Sequence, residues 1–237
     1  MTFSPLRQIA RFYASSVGKK YVVALTALGL LGFLPVHVIG NLLIFDQSRV
    51  ALNEYAHFLH TFGHGAGVWV FRFGLLAMFL IHVVATIQLA RQNRAARGPD
   101  EYAVKTARAS TLGSRTMIIS GLIILSFVVF HILHYTVRVS PEYKALPLFD
   151  LDGKQVFDVY AMVVKGFQYW PSTIFYIIGV SLLCLHLTHG VASVFQTLGL
   201  RSRKSADLIK VVGYAYALFV WAGFLVVPLA VAFGFVK

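Results

Sequence analysis

Residues 21–45 read YVVALTALGLLGFLPVHVIGNLLIF, twenty-five positions without one Asp, Glu, Lys or Arg. About 20 mainly apolar residues carry a helix across a bilayer, so this stretch is a membrane span, and it holds an imidazole, His37. Four similar runs follow, roughly Val68–Ala90, Thr116–Val137, Ser172–Val194 and Leu208–Phe235. The expected fold is all-α: a single membrane domain over residues 1–237, built as a bundle of five transmembrane helices. Polar stretches at Asp46–Gly67, Arg91–Arg115, Arg138–Pro171 and Thr197–Asp207 connect them. Residues 1–20 carry Arg7, Arg11, Lys19 and Lys20 among apolar positions, the pattern of a basic amphipathic lead-in on a membrane surface. A cleavable secretory signal is not expected, because the first apolar run has the length of a span.

Composition agrees. Of the 237 residues, 58% are hydrophobic and 13% charged, with mean hydropathy +0.73, whereas a soluble domain carries about 25% charged residues. Secreted disulfide scaffolds, disordered chains and most soluble enzymes are thereby excluded. The lone cysteine, Cys184, permits no internal disulfide. A net charge of +12 resembles a nucleic-acid signal until the charges are placed along the chain, and no nucleic-acid partner is expected. With the N-terminus inside, fourteen of the 21 basic residues fall on inner segments. These are Arg7, Arg11, Lys19, Lys20, Arg91, Arg94, Arg97, Lys105, Arg108, Arg115, Arg201, Arg203, Lys204 and Lys210. Only three of the 9 acids, Asp100, Glu101 and Asp207, join them. This is a positive-inside bias, so the N-terminus is expected to be cytoplasmic in a multi-pass protein of the cell inner (cytoplasmic) membrane. Trp69, Tyr169 and Trp170 then fall at the outer interface.

Ionisable groups inside spans are costly and mark function by default. Six of nine histidines lie within spans: His37, His82, His131, His134, His186 and His189. None shares its span with an Asp or Glu to form a pair. The bland alternative for each is a neutral imidazole bonded to a carbonyl within the bundle. Depth makes the set informative. His37 lies about eight residues, and His131 about six, from the outer ends of their spans; His82 and His186 lie about fourteen residues in. At roughly 1.5 Å per residue these form an outer and an inner pair separated by on the order of 10 Å. Two pairs, each shared between helices, suit two bis-histidine b-type haems stacked across the membrane. A zinc or copper site would gather ligands at one depth, often with carboxylate or thiolate help. His134 is shallower than His37, which favours His131; depth does not separate His186 from His189. Gly32, Gly40, Gly74, Gly121, Gly179 and Gly190 are candidates for close approach of a helix or a porphyrin.

These residues resemble a known family: the single-chain, five-span, two-haem cytochrome b anchor of succinate dehydrogenase and fumarate reductase. The resemblance is carried by His37-Val-Ile-Gly-Asn41, Leu52-Asn-Glu-Tyr-Ala-His-Phe-Leu59, Leu80-Ile-His-Val83 and Phe130-His131. It continues in His186-Leu-Thr-His-Gly190 and Phe195-Gln-Thr-Leu-Gly199. It covers about Lys19 to the end. It implies His37 and His131 as axial ligands of the outer haem, His82 and His186 as those of the inner haem, and so selects His186 over His189. Some members of the family have a proton-carrying glutamate two residues before the fourth-span ligand; here Cys184 stands there.

The resemblance further implies that flavoprotein and iron–sulfur subunits dock on the cytoplasmic face, and that electrons pass between them and membrane quinone (menaquinone or ubiquinone). The chain itself holds no succinate-oxidising site. Arg115, at the start of span three, is a candidate for a haem propionate. The basic stretches Arg94–Arg115 and Arg201–Lys210 are candidates for docking. In similar anchors the quinone lies toward the outer side, where Glu54, His57, His60 and His64 can exchange protons near neutral pH; their spacing puts the three histidines on one helix face. The region Leu146–Gln168, with an Asp152-Gly153 turn, is expected to cap that side. The competing expectations are a haem-b subunit of another respiratory complex, of formate dehydrogenase or hydrogenase type, and a non-haem membrane protein with histidines as polar glue.

Overall fold

The structure, a computed structural model, describes residues 4–96 and 112–237, with the side chains of 112–115 outside that description. Five helices are long and apolar enough to cross a membrane, the architecture of a multi-pass membrane protein. They are α2 (Ser16–Leu42, prolonged by a 3-10 turn to Phe45), α4 (Ala66–Ala96), α5 (Leu112–His131, running into a π-helical turn at Ile132–Val137), α8 (Trp170–Thr197) and α9 (Ala206–Ala232). A short helix α1 (Pro5–Ala14) precedes them. Each expected span is present. The helices overrun the apolar runs at several ends, by six residues at the end of α4, because a helix continues through polar residues until a breaker stops it.

One end of the bundle is capped. Here lie α3 (Val50–Thr61), α6 (Pro141–Lys144), strands β1 (Leu148–Leu151) and β2 (Lys154–Phe157), and α7 (Val159–Gln168). The two strands pair antiparallel, Leu148 opposite Phe157 and Leu151 opposite Lys154. Asp152 and Gly153 both take positive φ, 50° and 81°, the two-residue turn whose twist matches a hairpin. The entry to α3 is set by Asp46, whose carboxylate accepts from Ser48 N and Oγ and from Ala51 N. These hydrogen bonds hold its pKa below the usual carboxylate value.

Helices α8 and α9 pack on each other most extensively; α2 meets α4, α8 and α9, and α5 lies on α8. The largest cluster of buried side chains gathers toward the capped end around Ile44, Phe127, Tyr143, Tyr160, Phe167, Tyr176 and Val231. The rest of the bundle is open by comparison: 6% of the most apolar stretch of α4 is buried, against 33% for α9. Among the described residues, α4 packs on α2 and α3 and makes no comparable contact with α5 or α8. Gly179 shows what close packing requires. A Cβ there would strike the Phe127 ring, so Gly179→Leu is expected to force α5 and α8 apart at a cost of about 1–3 kcal/mol, read as a lowered midpoint in thermal unfolding in detergent.

Candidate functional site: paired histidines and a basic cavity

The structure brings His37 of α2 against His131, the last residue of α5. Their ring centres are 5.7 Å apart, nearly edge to face at 77°. A metal-bound imidazole nitrogen lies about 2 Å from its ion, so two imidazoles on opposite sides of one metal have ring centres roughly 6 Å apart. The observed pair is close to that spacing. Phe33 stacks on His37 at 5.0 Å and Phe224 of α9 lies 5.4 Å from it. Just N-terminal to His37, Pro35 lacks the N–H that Leu31 O would accept. That carbonyl instead accepts from Tyr216 Oη of α9 at 2.5 Å, which ties α9 to α2 six residues before the histidine.

The inner pair sits deeper. His82 on α4 places Nδ1 3.2 Å from Val23 O and 3.2 Å from Thr26 Oγ1, both on α2. His186 on α8 places Nδ1 3.3 Å from Ser120 Oγ on α5. The two imidazoles lie within electrostatic range of each other. No three His, Cys, Asp or Glu among the described residues are placed to hold one ion.

Hydrogen-bond roles assign the tautomers. A carbonyl only accepts, so His82 Nδ1 carries the proton donated to Val23 O. Ser120 Oγ donates to Met117 O at 3.2 Å and therefore accepts from His186 Nδ1–H. His131 Nδ1 lies 3.1 Å from Tyr176 Oη, which is also 3.3 Å from His134 Nδ1. One consistent chain has His131 donate to Tyr176 and Tyr176 donate to His134. For His82 and His186, Nε2 is left with its lone pair and no hydrogen bond among the described residues, the state in which imidazole binds a metal; at His131 the reverse chain, running from Tyr143 through His134 and Tyr176, satisfies the same contacts. His37 differs: Asn41 Nδ2, which donates to His37 O at 2.7 Å, faces Nδ1 at 3.3 Å, so Nε2 carries the proton until it is displaced. His134 is occupied at both nitrogens, its Nε2 being hydrogen-bonded to Tyr143 Oη. His131 keeps one ring nitrogen without such a partner among the described residues. Among the described residues, His189 has no second-helix partner of the kind His186 has.

The glycines divide. Gly40 lies against the Tyr55 ring and Gly179 against Phe127, both ordinary helix packing, and Gly121 approaches His186 Cε1 at 3.8 Å. At Gly32, Gly74 and Gly190 nothing stands within 4 Å of where a Cβ would be. Cys184 packs beside Leu187, Ala217 and Val220.

Near the outer histidines, at the capped end, a cavity of about 220 Å3 opens between α3, α4, the π-helical turn and α7. His60, Arg72, Tyr135, Thr136 and Arg138 supply its polar lining, with Ala56, Leu59, Val68, Phe157, Val159 and Met162 between them. Neither arginine has a carboxylate within ion-pair distance among the described residues. Arg72 stacks over Trp69 and Arg138 over Phe157. Tyr135 Oη is buried without a hydrogen-bond partner. Of the four sequence candidates, His60 alone lines the cavity; Glu54, His57 and His64 do not. The shared helix face fails for a local reason: α3 ends at Thr61, and Gly63, His64 and Gly65 turn with φ of 59°, 56° and 84°. The signal was present, since Gly-His-Gly is a breaker. Arg72 was also legible as a charge inside a span, and Arg138 as the residue ending one. Arg115 lies in the first turn of α5, its side chain outside the described residues, as is most of the Arg94–Arg115 stretch.

Partial burial, then the fields of Arg72, Arg138 and His57, lower the pKa of His60 below its ordinary 6.5. A histidine lowered on folding leaves stability intact above its unfolded pKa and removes it as pH falls below that value. Acid is therefore expected to destabilise the chain from about pH 6.5 downward, and His60→Gln to flatten part of that slope, measured by thermal unfolding between pH 5 and 8.

No family model, curated protein or solved structure matches the chain.

Proposed function

We propose that the chain is the di-haem cytochrome b anchor of a succinate:quinone oxidoreductase, holding two haems b and passing electrons between an iron–sulfur subunit and membrane quinone. The observation that carries this reading is the histidine set: His37 against His131 in one layer, and His82 and His186 in another, each with its Nε2 lone pair freed by a hydrogen bond at Nδ1. In this reading His37 and His131 hold one haem, and His82 and His186 the other. The open faces at Gly32, Gly74 and Gly190, and the poor contact of α4 with α5 and α8, favour a large flat group between these helices. When bound, haem supplies one-electron oxidation and reduction.

The chain's own residues do the rest. Val23, Thr26, Ser120 and Tyr176 fix ring orientation and proton position, and Phe33, Phe127 and Phe224 keep water from the outer pair. At the capped end the cavity takes the quinone head group. Arg72 and Arg138 are suited to donate hydrogen bonds to its oxygens, and His60, neutral near pH 7, to accept or return a proton at its ring nitrogen. The positive-inside bias places α1 and the segment after α4 on the cytoplasmic side, where the flavoprotein and iron–sulfur subunits dock.

A pyridine haemochrome assay on the purified protein, with copurifying subunits identified, tests this. Two haems b per chain with flavin and iron–sulfur subunits are expected. Two haems with other partners would move the chain to a formate dehydrogenase or hydrogenase type of complex. A colourless, well-folded protein would make the histidines structural.

A further inference from the structure

Helix α1 buries none of its residues. Leu6, Ile9 and Phe12 stand 77%, 65% and 51% exposed; spaced three apart, they share one face, with Arg7 and Arg11 on the other. An exposed apolar stripe on so short a helix calls for a cover, and the way α1 is joined to α2 shows where the cover lies.

The joint is fixed. Ser15 adopts an extended backbone, φ −73° and ψ 155°, so α1 cannot run on into α2 as one rod. Ser15 Oγ accepts from Gly18 N at 2.9 Å, capping α2, and donates to Phe12 O at 2.7 Å, closing α1. Lys19, 5% exposed, donates from Nζ to Tyr13 O and Ala14 O, both at 3.0 Å, placing a cation where the last carbonyls of α1 gather negative charge. Position 18 must be glycine for the chain to fold back this closely, because a Cβ there would collide with Phe12 O. Two contacts then pin the joint to α4: Tyr13 Oη donates to Gln88 Oε1 at 2.9 Å, and Gln92 Nε2 donates to Ala14 O at 3.1 Å.

The 27 residues of α2 span about 40 Å, roughly a bilayer with its head groups. The joint therefore sits at head-group level. No acidic residue precedes Asp46, while Arg7, Arg11, Lys19 and Lys20 do. We infer that α1 is an in-plane anchor: its Leu6–Ile9–Phe12 face enters the adjoining leaflet, and Arg7 on the opposite face binds the phosphate of an anionic phospholipid. Neither the haem reading nor the sidedness of the bundle enters this argument.

Nitroxide scanning of the full chain tests it. Single cysteines at Leu6, Arg7, Gln8, Ile9 and Phe12, in a Cys184→Ser background, are labelled in nanodiscs of phosphatidylglycerol and phosphatidylcholine. Collision with oxygen is compared with collision with a nickel chelate. The oxygen-to-nickel ratio is expected to be several-fold higher at 6, 9 and 12 than at 7 and 8, and the contrast to weaken when phosphatidylglycerol is removed. Nickel-dominated collisions at all five positions would overturn the proposal. So would shielding of 6, 9 and 12 that appears only with soluble partner subunits bound, since the cover would then be protein.

Discussion

Replacing His131 by alanine is expected to lower haem b from two to one per chain, whereas replacing His134, three residues further on, leaves both. The two imidazoles differ in what they have to offer. His131 faces His37 at 5.7 Å and is hydrogen-bonded through Nδ1 to Tyr176 Oη, with no hydrogen bond at Nε2 among the described residues. His134 spends both nitrogens on Tyr176 and Tyr143. His37→Ala is expected to remove the same haem as His131→Ala, and His82→Ala the same haem as His186→Ala. Tyr176→Phe, which takes away the hydroxyl at His131 Nδ1, is expected to keep the haem and shift the potential of the outer one alone, as loss of such supporting partners does. Pyridine haemochrome gives the stoichiometry, and redox titration followed by optical and EPR spectra identifies which haem is lost. Different haems lost within one pair would sink the pairing. Haem loss on replacing His134 would transfer the ligand role to it.

The approach of His37 to His131 was legible in the sequence because a helix converts residue count to depth at a fixed rise, and five uninterrupted apolar runs supplied the ruler. The same regularity made the bundle legible, with errors only at ends where no breaker stands. What was not legible depends on contacts between residues far apart in sequence. The cavity draws His60, Arg72, Arg138 and Met162 from four elements, and local pattern says nothing about their meeting. Arg72 and Arg138 read as outer-side charges, yet they line one cavity with no carboxylate in ion-pair distance among the described residues. Strands β1 and β2 escaped because four residues alternate too briefly to stand out, although their Asp152-Gly153 turn did not. The π-helical turn after His131, which redirects Tyr135 and ends at Arg138 with φ 58°, has no sequence signature, as is usual for such insertions near functional sites.

Asn53→Leu is expected to be among the most destabilising single changes outside the spans, at about 3 kcal/mol, although the Asn53 side chain is hydrogen-bonded to α7 and to no histidine side chain. Asn53 is 1% exposed and acts as a cap for a helix more than 100 residues away. Its Oδ1 accepts from Val159 N at 2.8 Å and from Tyr160 N at 3.3 Å, and its Nδ2 donates to Asp158 Oδ1 at 3.1 Å. Asp158, 4% exposed, in turn accepts from Ala161 N at 2.8 Å. The first-turn N–H groups of α7, which no helix can satisfy from within, are thus divided between a local aspartate and a distant asparagine. Leucine has nearly the same volume but offers neither group, so two buried donors and one buried carboxylate oxygen lose a partner, each at roughly 1–3 kcal/mol. Because α3 and α7 form facing walls of the cavity, the loss loosens that end first. Hydrogen exchange at Val159–Ala161 is expected to accelerate before any change in α8 or α9, together with a lower unfolding midpoint. Glu54→Gln, exposed on the next position of the same helix, is expected to stay within about 0.5 kcal/mol of the parent and controls for substitution in α3 as such. Equal effects of the two substitutions would mean that α3 and α7 are held by apolar contact alone. A large effect of Asn53→Leu without faster exchange in α7 would show that Asn53 supports α3 from within rather than capping its neighbour.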